Sequence, residues 1–530
     1  MKTATTTLWK AMEDGSETPI NEVDLYKYQR YRWLSGEPQK LAVRYRNFNL
    51  RALLDASVGA TGNRGGECVK LLKCVEGQFN KAFVLTMQTG EEVVARLPNP
   101  NAGPAFYTVA SEVATRHFLR DILGIPIPQI YAWSTEASNP VGAEYIVEEK
   151  ATGQPLGTLW NKMSMASRLE IVNQIVQIEK KLASVSFPRH GCIYYETGLK
   201  SRPVSYEPLD LPASFTSLST KVHQSRFPNF VIGPLVTPKL WEGKRASMNL
   251  DRGPWNHVTE YSIAVGKNEL EWAESNAEPR INPYRSLEYP ETPEDYVSLL
   301  KRYMALTPYL VPTSMSHEQA NRISHPDLHL DNIFIDPVTN NITCIIDWQL
   351  ASVSPICLHR RYPQMLEFSV TAQSDQFSRE KTLLDYYYNA VKEADPLRWT
   401  YLNDPLLSVR TDPISLVPGC WDRDDIFSLR NALITIIARW SDIGHTGIQC
   451  PVDFTEDELL QHEKEMELIE GISKIMQQLE DEGLIPFGGM VRQEFFEHAK
   501  ELNDIFKQEF MDLAENEAQR KLHEKAWPYS

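Results

Sequence analysis

His325-Pro326-Asp327-Leu328-His329-Leu330-Asp331-Asn332 sets an Asp and an Asn five positions apart, and Ile345-Ile346-Asp347-Trp348 adds a second Asp behind an apolar run. Those residue types in that order suit phosphoryl transfer. The reaction needs one carboxylate to orient the attacking hydroxyl and accept its proton. It also needs oxygen ligands for the magnesium ions carried on nucleotide phosphates. The order H-x-D-L-x-x-x-N makes Asp327 the candidate base and Asn332 a candidate magnesium ligand, with Asp347 as the second ligand. A polar hairpin with caps at its ends would explain any one of these residues. It does not explain the Asn, the apolar run and the second Asp in register.

The elements that must position them are short. Ile333, Phe334 and Ile335 predict a strand, Pro337 to Asn341 a turn, and Ile342 to Ile346 a buried, β-branched return strand. Such a hairpin brings Asp347 back toward Asn332, so that both can share one metal. Asn341-Ile342-Thr343 fits a glycosylation acceptor, but it falls between the candidate catalytic residues and reads as coincidence.

Upstream, Gly59 to Gly66 resembles a linker that ends an N-terminal extension (1–66), in which Trp33, Tyr45 and Phe48 look like anchors. Three antiparallel strands follow, Cys68 to Val75, Ala82 to Met87 and Glu92 to Leu97, with Gly77 at the first turn. A helix is expected from Ser111 to Leu123, capped by Gly124 and stopped by Pro126. Two further strands, Gln129 to Trp133 and Ala143 to Val147, lead to Glu148-Glu149-Lys150 and Gly153, which read as a hinge. Arg96 and Glu112 lie sixteen positions apart, at a strand end and in the helix. A cation there can hold nucleotide phosphates while the helix carboxylate directs it; an ordinary surface salt bridge is the other reading.

The second half reads as helical. Thr292-Pro293-Glu294-Asp295 is a helix start, with Leu299, Leu300, Tyr303 and Leu306 as its apolar face. Ile426, Leu429, Leu433, Ile436, Ile437 and Trp440 keep helical spacing. From Glu456 onward Leu468, Ile472, Ile475, Met476 and Leu479 form a stripe, read first as internal packing and second as a surface for a protein partner through the C-terminal helices.

With 530 residues and a formal charge of −16, the chain has room for more than one structural unit, and neither nucleic acid nor an anionic membrane is expected as its main partner. No apolar run is long enough to span a bilayer. The seven cysteines form no C-x-x-C pair and read as free thiols of a reducing compartment. The start has no apolar signal core, and Glu13, Asp14 and Glu17 make a poor presequence. A cytoplasmic location is expected, with a mitochondrial one as the alternative.

These motifs together resemble the aminoglycoside phosphotransferase family of small-molecule kinases, and within it the large fungal branch that includes altered inheritance of mitochondria protein 9. Glu76-Gly77-Gln78-Phe79-Asn80-Lys81, Val93-Val94-Ala95-Arg96-Leu97-Pro98, Ser111-Glu112-Val113-Ala114-Thr115, Gly124-Ile125-Pro126-Ile127-Pro128 and Val141-Gly142-Ala143-Glu144-Tyr145 carry the likeness with the two catalytic segments. Leu250-Asp251-Arg252-Gly253-Pro254-Trp255 fits the fungal branch.

The resemblance implies a protein-kinase-like bilobal α+β fold. A small antiparallel sheet lobe with one main helix (67–150) would precede a larger, mainly helical lobe (151–455), and a helical extension (456–530) would follow. It implies ATP and Mg2+ as cofactors, Asp327 as base, and Asn332 and Asp347 as metal ligands. Arg96 stands in the place of a phosphate-binding lysine with Glu112 as its partner, Asn80 lies where the backbone covers the phosphates, and Glu148, Glu149 and Lys150 form the adenine hinge. His325 and His329 match the motif's histidines, which hold the loop. Pro326 departs from the Gly of bacterial members. Trp348 and Gln349 replace the Phe-Gly of protein kinases, and no Ala-Pro-Glu segment follows, which argues against a protein kinase acting on Ser or Thr.

The acceptor, a small molecule carrying a hydroxyl, would meet an insertion at about 198–285. There Trp241, Arg245, Arg252, Trp255 and Tyr261 either recognise it or pack the insertion. The reading is an ATP-dependent small-molecule O-phosphotransferase; the alternative is a nucleotide-binding pseudokinase that serves as a scaffold.

Overall fold

The computed structural model describes residues 6–62, 65–209, 229–282, 290–311, 321–368, 374–481, 487–527 and 529. It is a mixed α+β chain of two lobes. The first lobe is built on one seven-stranded sheet in the order Glu17–Pro19, Thr7–Ala11, Cys68–Lys73, Asn80–Met87, Glu92–Pro98, Tyr145–Glu149, Ile130–Ser134. Asn80–Met87 alternates half-buried and buried residues along its length, as period-2 side chains on a one-sided sheet should. Phe83, Leu85, Val93, Ala95 and Val147 fill the core beneath it with Leu53, Leu54 and Phe48.

The sheet is not purely antiparallel. Thr7–Ala11 joins it in parallel beside Cys68–Lys73. The N-terminal residues also supply helix Leu50–Ala60, which runs into the stretch read as a linker. Trp33 and Phe48 are buried anchors, whereas Tyr45 is 45% exposed.

The helix expected at 111–123 begins earlier, as Tyr107–His117, and continues as a π-helical turn, Phe118–Ile122. Its start has no side-chain cap. Phe106 instead takes a positive φ of 68°, and its N–H donates to the Glu144 carboxylate. Gly124 closes the helix at φ 63°.

In the second lobe, Thr292 caps Pro293–Leu310 by accepting from the Asp295 N–H, and Leu299, Leu300, Tyr303 and Leu306 are buried. That helix packs with Val258–Asn276 and Ile426–Ala438 around the largest core. Trp440 is buried there and Ile437 half-buried. Of the insertion read at 198–285, residues 210–228 and 283–285 lie outside the described residues.

The C-terminal residues return to the first lobe. Met490–Arg492 pairs antiparallel with Tyr31–Trp33, Arg32 lies 3.6 Å from the centroid of the Phe496 ring, and Arg32 pairs with Glu497 at 3.0 Å. In helix Glu456–Asp481, Leu468 is 40% exposed, while the side chains of Ile472, Ile475, Met476 and Leu479 lie outside the described residues.

Candidate active site

The hairpin that carries the candidate residues forms as its sequence predicts. Ile333–Ile335 pairs antiparallel with Ile342–Ile345, and Gln154–Pro155 adds a third strand. Gly153 makes that approach possible, since a Cβ on it would fall 2.4 Å from the Ile335 carbonyl oxygen. The segment read as a hinge therefore runs directly into the strand that flanks Asn332.

The hairpin brings the candidate residues together through main-chain and amide bonds. The Ile346 N–H donates to the Asn332 carbonyl at 3.0 Å. Asn332 is buried, and its Nδ2 donates to the Asp327 carbonyl at 2.9 Å. His325 joins both arms: Nδ1 accepts from the Asp327 N–H at 3.1 Å, and Nε2 pairs with the Ile346 carbonyl at 2.8 Å. Serving as acceptor on Nδ1 and donor on Nε2 requires the neutral ring. Burial enforces that state by holding His325 down at about 4. Trp348, 1% exposed, packs its ring edge-on to His325 at 4.6 Å. His325 is thus a loop brace, while His329 sits with Nε2 3.8 Å from the Asp327 carboxylate. Asp327 itself is exposed.

Asp347 takes a left-handed φ of 62°, which Asp tolerates better than most residues. Its Oδ1 is buried without a hydrogen-bond partner. Burial pushes its carboxyl above the usual range, and Asp327 adds to this, while Arg96 opposes it. A buried carboxylate oxygen with no donor, near a second carboxylate, fits a hard cation. The oxygens that Asn332 and Asp347 offer suit magnesium, which keeps few protein ligands and takes the rest from phosphates and water.

Above the hairpin sits a closed ring of charges. Arg96 pairs through Nη2 with Glu112 and through Nε with Glu148 at 2.9 Å. Arg116 pairs with the same two carboxylates, at 3.3 Å to Glu112 and more closely to Glu148. Glu112, Arg116 and Glu148 are buried. Two cations against two anions leave no net charge, the condition under which such a buried cluster holds. Burial works against the charges of Arg96 and Glu148, yet their partners prevail. Arg96 is held above its usual range by Glu112, Glu148 and Asp347, and Glu148 is held below its range by Arg116 and Arg96. The pair read from Arg96 and Glu112 is therefore no surface salt bridge. Arg96 Nη1 has no hydrogen-bond partner among the described residues, which leaves one edge of the guanidinium for a ligand.

The other candidates are placed as follows. The Glu148 side chain is committed to the ring. Glu149 accepts from the Gln129 N–H at 3.0 Å and lies 3.6 Å from Arg120, and Lys150 pairs with Glu92 at 2.6 Å. These side chains are thus engaged in ion pairs, and the Glu149 N–H is itself taken by the Gln129 carbonyl at 2.8 Å. Asn80 opens strand Asn80–Met87, and its Nδ2 donates to Gln349 Oε1 at 2.6 Å.

In the insertion, Arg245 is 1% exposed and forks onto Glu269 with two bonds of 2.7 Å. Arg252 donates to the Leu240 and Met248 carbonyls and lies 4.0 Å from the Trp241 ring centroid. Trp255 and Tyr261 pack on each other and on His190. Trp241 rests on Tyr107, with ring centroids 4.8 Å apart, so all five side chains have packing partners. Two residues escaped the sequence reading. Arg116 had a local signal, being one helical turn beyond Glu112; Gln349, bonded to Asn80 across 269 positions, had none.

No helix among the described residues is long and apolar enough to cross a membrane. A sequence model of the phosphotransferase enzyme family matches residues 73–358. A subtelomeric hrmA-associated cluster protein of Aspergillus fumigatus is 30% identical over 520 residues, covering 87% of this chain and 97% of its own. The mitochondrial protein named altered inheritance of mitochondria protein 9 from Lachancea thermotolerans is 24% identical over 444 residues, covering 74% of this chain and 69% of its own. Among solved structures, an aminoglycoside phosphotransferase in a ternary complex with streptomycin and ATP superposes with a TM-score of 0.38 at 13% identity, over 73% of this chain and 98% of that one. The match to the family model spans strands Asn80–Met87 and Glu92–Pro98, the ring of charges and the hairpin Ile333–Ile345, and the chain belongs to the phosphotransferase enzyme family.

Proposed function

We propose that the chain transfers the γ-phosphoryl group of ATP to a hydroxyl of a small molecule. The observation that carries this reading is the convergence of Asp327, Asn332 and Asp347 on one braced hairpin, with the buried Oδ1 of Asp347 left without a partner.

Asp327, exposed beside that buried pair, orients the acceptor hydroxyl and takes its proton. Asn332 and Asp347 would hold Mg2+, which supplies neutralising charge to the phosphates. Arg96, fixed between Glu112 and Glu148, presents Nη1 to the phosphates. The segment Glu76 to Asn80 covers them, and the hinge at Glu148 to Lys150 receives the base. In this division of labour residues 67–150 hold the nucleotide, residues 151–455 carry the catalytic loop and the acceptor side, and 1–66 and 456–530 are extensions. Catalysis comes from positioning and fixed charge rather than from covalent chemistry.

The test is a thermal-unfolding titration with ATP, with and without magnesium, on the wild type and Asp347→Ala. Binding at about one hundred times Kd adds ~2.7 kcal/mol of stability, which a melting curve resolves. Magnesium-dependent stabilisation that disappears in Asp347→Ala is expected. No stabilisation of either protein would replace this reading with a scaffold that keeps the fold and has lost the nucleotide.

A further inference from the structure

Gln349 stands two residues beyond Asp347 and is 7% exposed. Its Nε2 donates to the Ala102 carbonyl at 3.3 Å, and its Oε1 accepts from Asn80 Nδ2 at 2.6 Å. A carbonyl only accepts, so Ala102 dictates which way the Gln349 amide faces. The amide oxygen must then face Asn80, which must answer with its NH2. The pairing is directional and leaves neither amide free to turn.

Both partners belong to the covering apparatus. Asn80 is the first residue after the loop Glu76 to Phe79, and it pairs with Pro98 on the neighbouring strand. Ala102 lies just past that strand. The Asn99 N–H joins the two by donating to the Phe79 carbonyl at 2.8 Å. Leu350 follows the same course: a Cβ on Gly103 would lie 3.5 Å from its Cδ2. One stretch of the second lobe, starting at Asp347, therefore bonds both to Asn80 at the end of the covering segment and to Ala102 just past the neighbouring strand.

We infer that Gln349 is a positioning residue that clasps the covering loop to the Asp347 segment. The backbone above the phosphates and the carboxylate beneath them then reach a nucleotide in one register. This role rests on the phosphotransferase reading above. A site held in its binding geometry before the ligand arrives loses less on binding, and that advantage disappears with the clasp.

The test uses the full chain and three variants: Gln349→Met, which keeps the length but removes the amide, Asn80→Ala, and the double. Amide hydrogen exchange of the nucleotide-free protein reads loop opening directly. Gln349→Met is expected to speed exchange at residues 79–81. It should also raise the Kd for magnesium-ATP about tenfold, a change of ~1.4 kcal/mol. The double variant should be no worse than the stronger single, because both remove one interaction. Unchanged exchange and affinity in Gln349→Met, or fully additive losses in the double, would overturn the clasp. A wild-type chain that binds no magnesium-ATP removes the phosphotransferase reading, and this role for Gln349 with it, whatever exchange shows.

Discussion

Asn332 Nδ2 donates to the main-chain carbonyl of Asp327 at 2.9 Å, so the candidate metal ligand and the candidate base move as one unit. The amide has two ends with two duties. Its nitrogen sets the loop, and its oxygen remains for a cation. Asn332→Asp separates these duties, since the carboxylate keeps the oxygen but faces the Asp327 carbonyl with no proton to give. Magnesium-dependent nucleotide binding should persist while phosphoryl transfer falls ~10–100-fold, the range found when supporting hydrogen bonds of a metal site are lost. Rates and nucleotide affinity measured together check this.

Asp327→Ala should remove turnover and leave the melting temperature and nucleotide affinity close to wild type, because the side chain is exposed and accepts no hydrogen bond that holds the loop. The loop bonds run through its N–H and carbonyl, which alanine keeps. A full rate in this variant would end its assignment as base.

Arg116→Met should destabilise the fold by ~3–5 kcal/mol, the loss expected when one partner of a buried ion pair is removed. Glu148 would keep only Arg96, inside a cluster no longer neutral. Combining Arg116→Met with Glu148→Gln should recover part of the loss. Urea unfolding of the single and double variants measures both.

His190 predicts a pH dependence. It is 2% exposed among Trp255 and Tyr261, its Nδ1 lacks a partner, and burial lowers it to about 3. The unfolded chain, with an ordinary histidine near 6.5, binds the proton first as pH falls. The contribution of His190 is therefore complete above about 6.5 and is lost progressively toward about 3, by up to ~1.4 kcal/mol per pH unit. His190→Phe retains a ring among its neighbours and should unfold with a shallower acid slope than wild type. Identical slopes would mean that His190 is not a buried neutral group.

The hairpin Ile333–Ile345 was legible because everything that builds it is local. A β-branched strand, a turn and a return strand fall within a few residues, and the motif spacing names their roles. The Thr292 helix start was legible for the same reason. The start of the helix carrying Glu112 was not. No Ser, Thr, Asp or Asn marks it, and the group that holds Phe106 is Glu144, 38 positions away. The same holds for Glu148. Its side chain read as part of a hinge, yet it is drawn inward by an arginine 32 positions earlier. Arg245 and Arg252 read equally as acceptor contacts or as packing, because arginine in an insertion suits an anionic ligand as well as a carboxylate of the chain. Their carboxylate and carbonyl partners were visible only once the chain had folded.

The tip of the covering loop depends on residues from both ends of the chain. Gln78 accepts from Arg44 at 3.1 Å, and its own amide donates to the Tyr28 hydroxyl and to Met490 Sδ, the latter 412 positions later. A ribosome adding ~5–20 residues per second makes that last partner roughly 20–80 s after the loop itself. The growing chain can therefore close its sheet and its catalytic hairpin long before the outer support of the loop exists. The loop gains that support only after residue 490 has been added, so the nascent chain carries it incompletely braced until then.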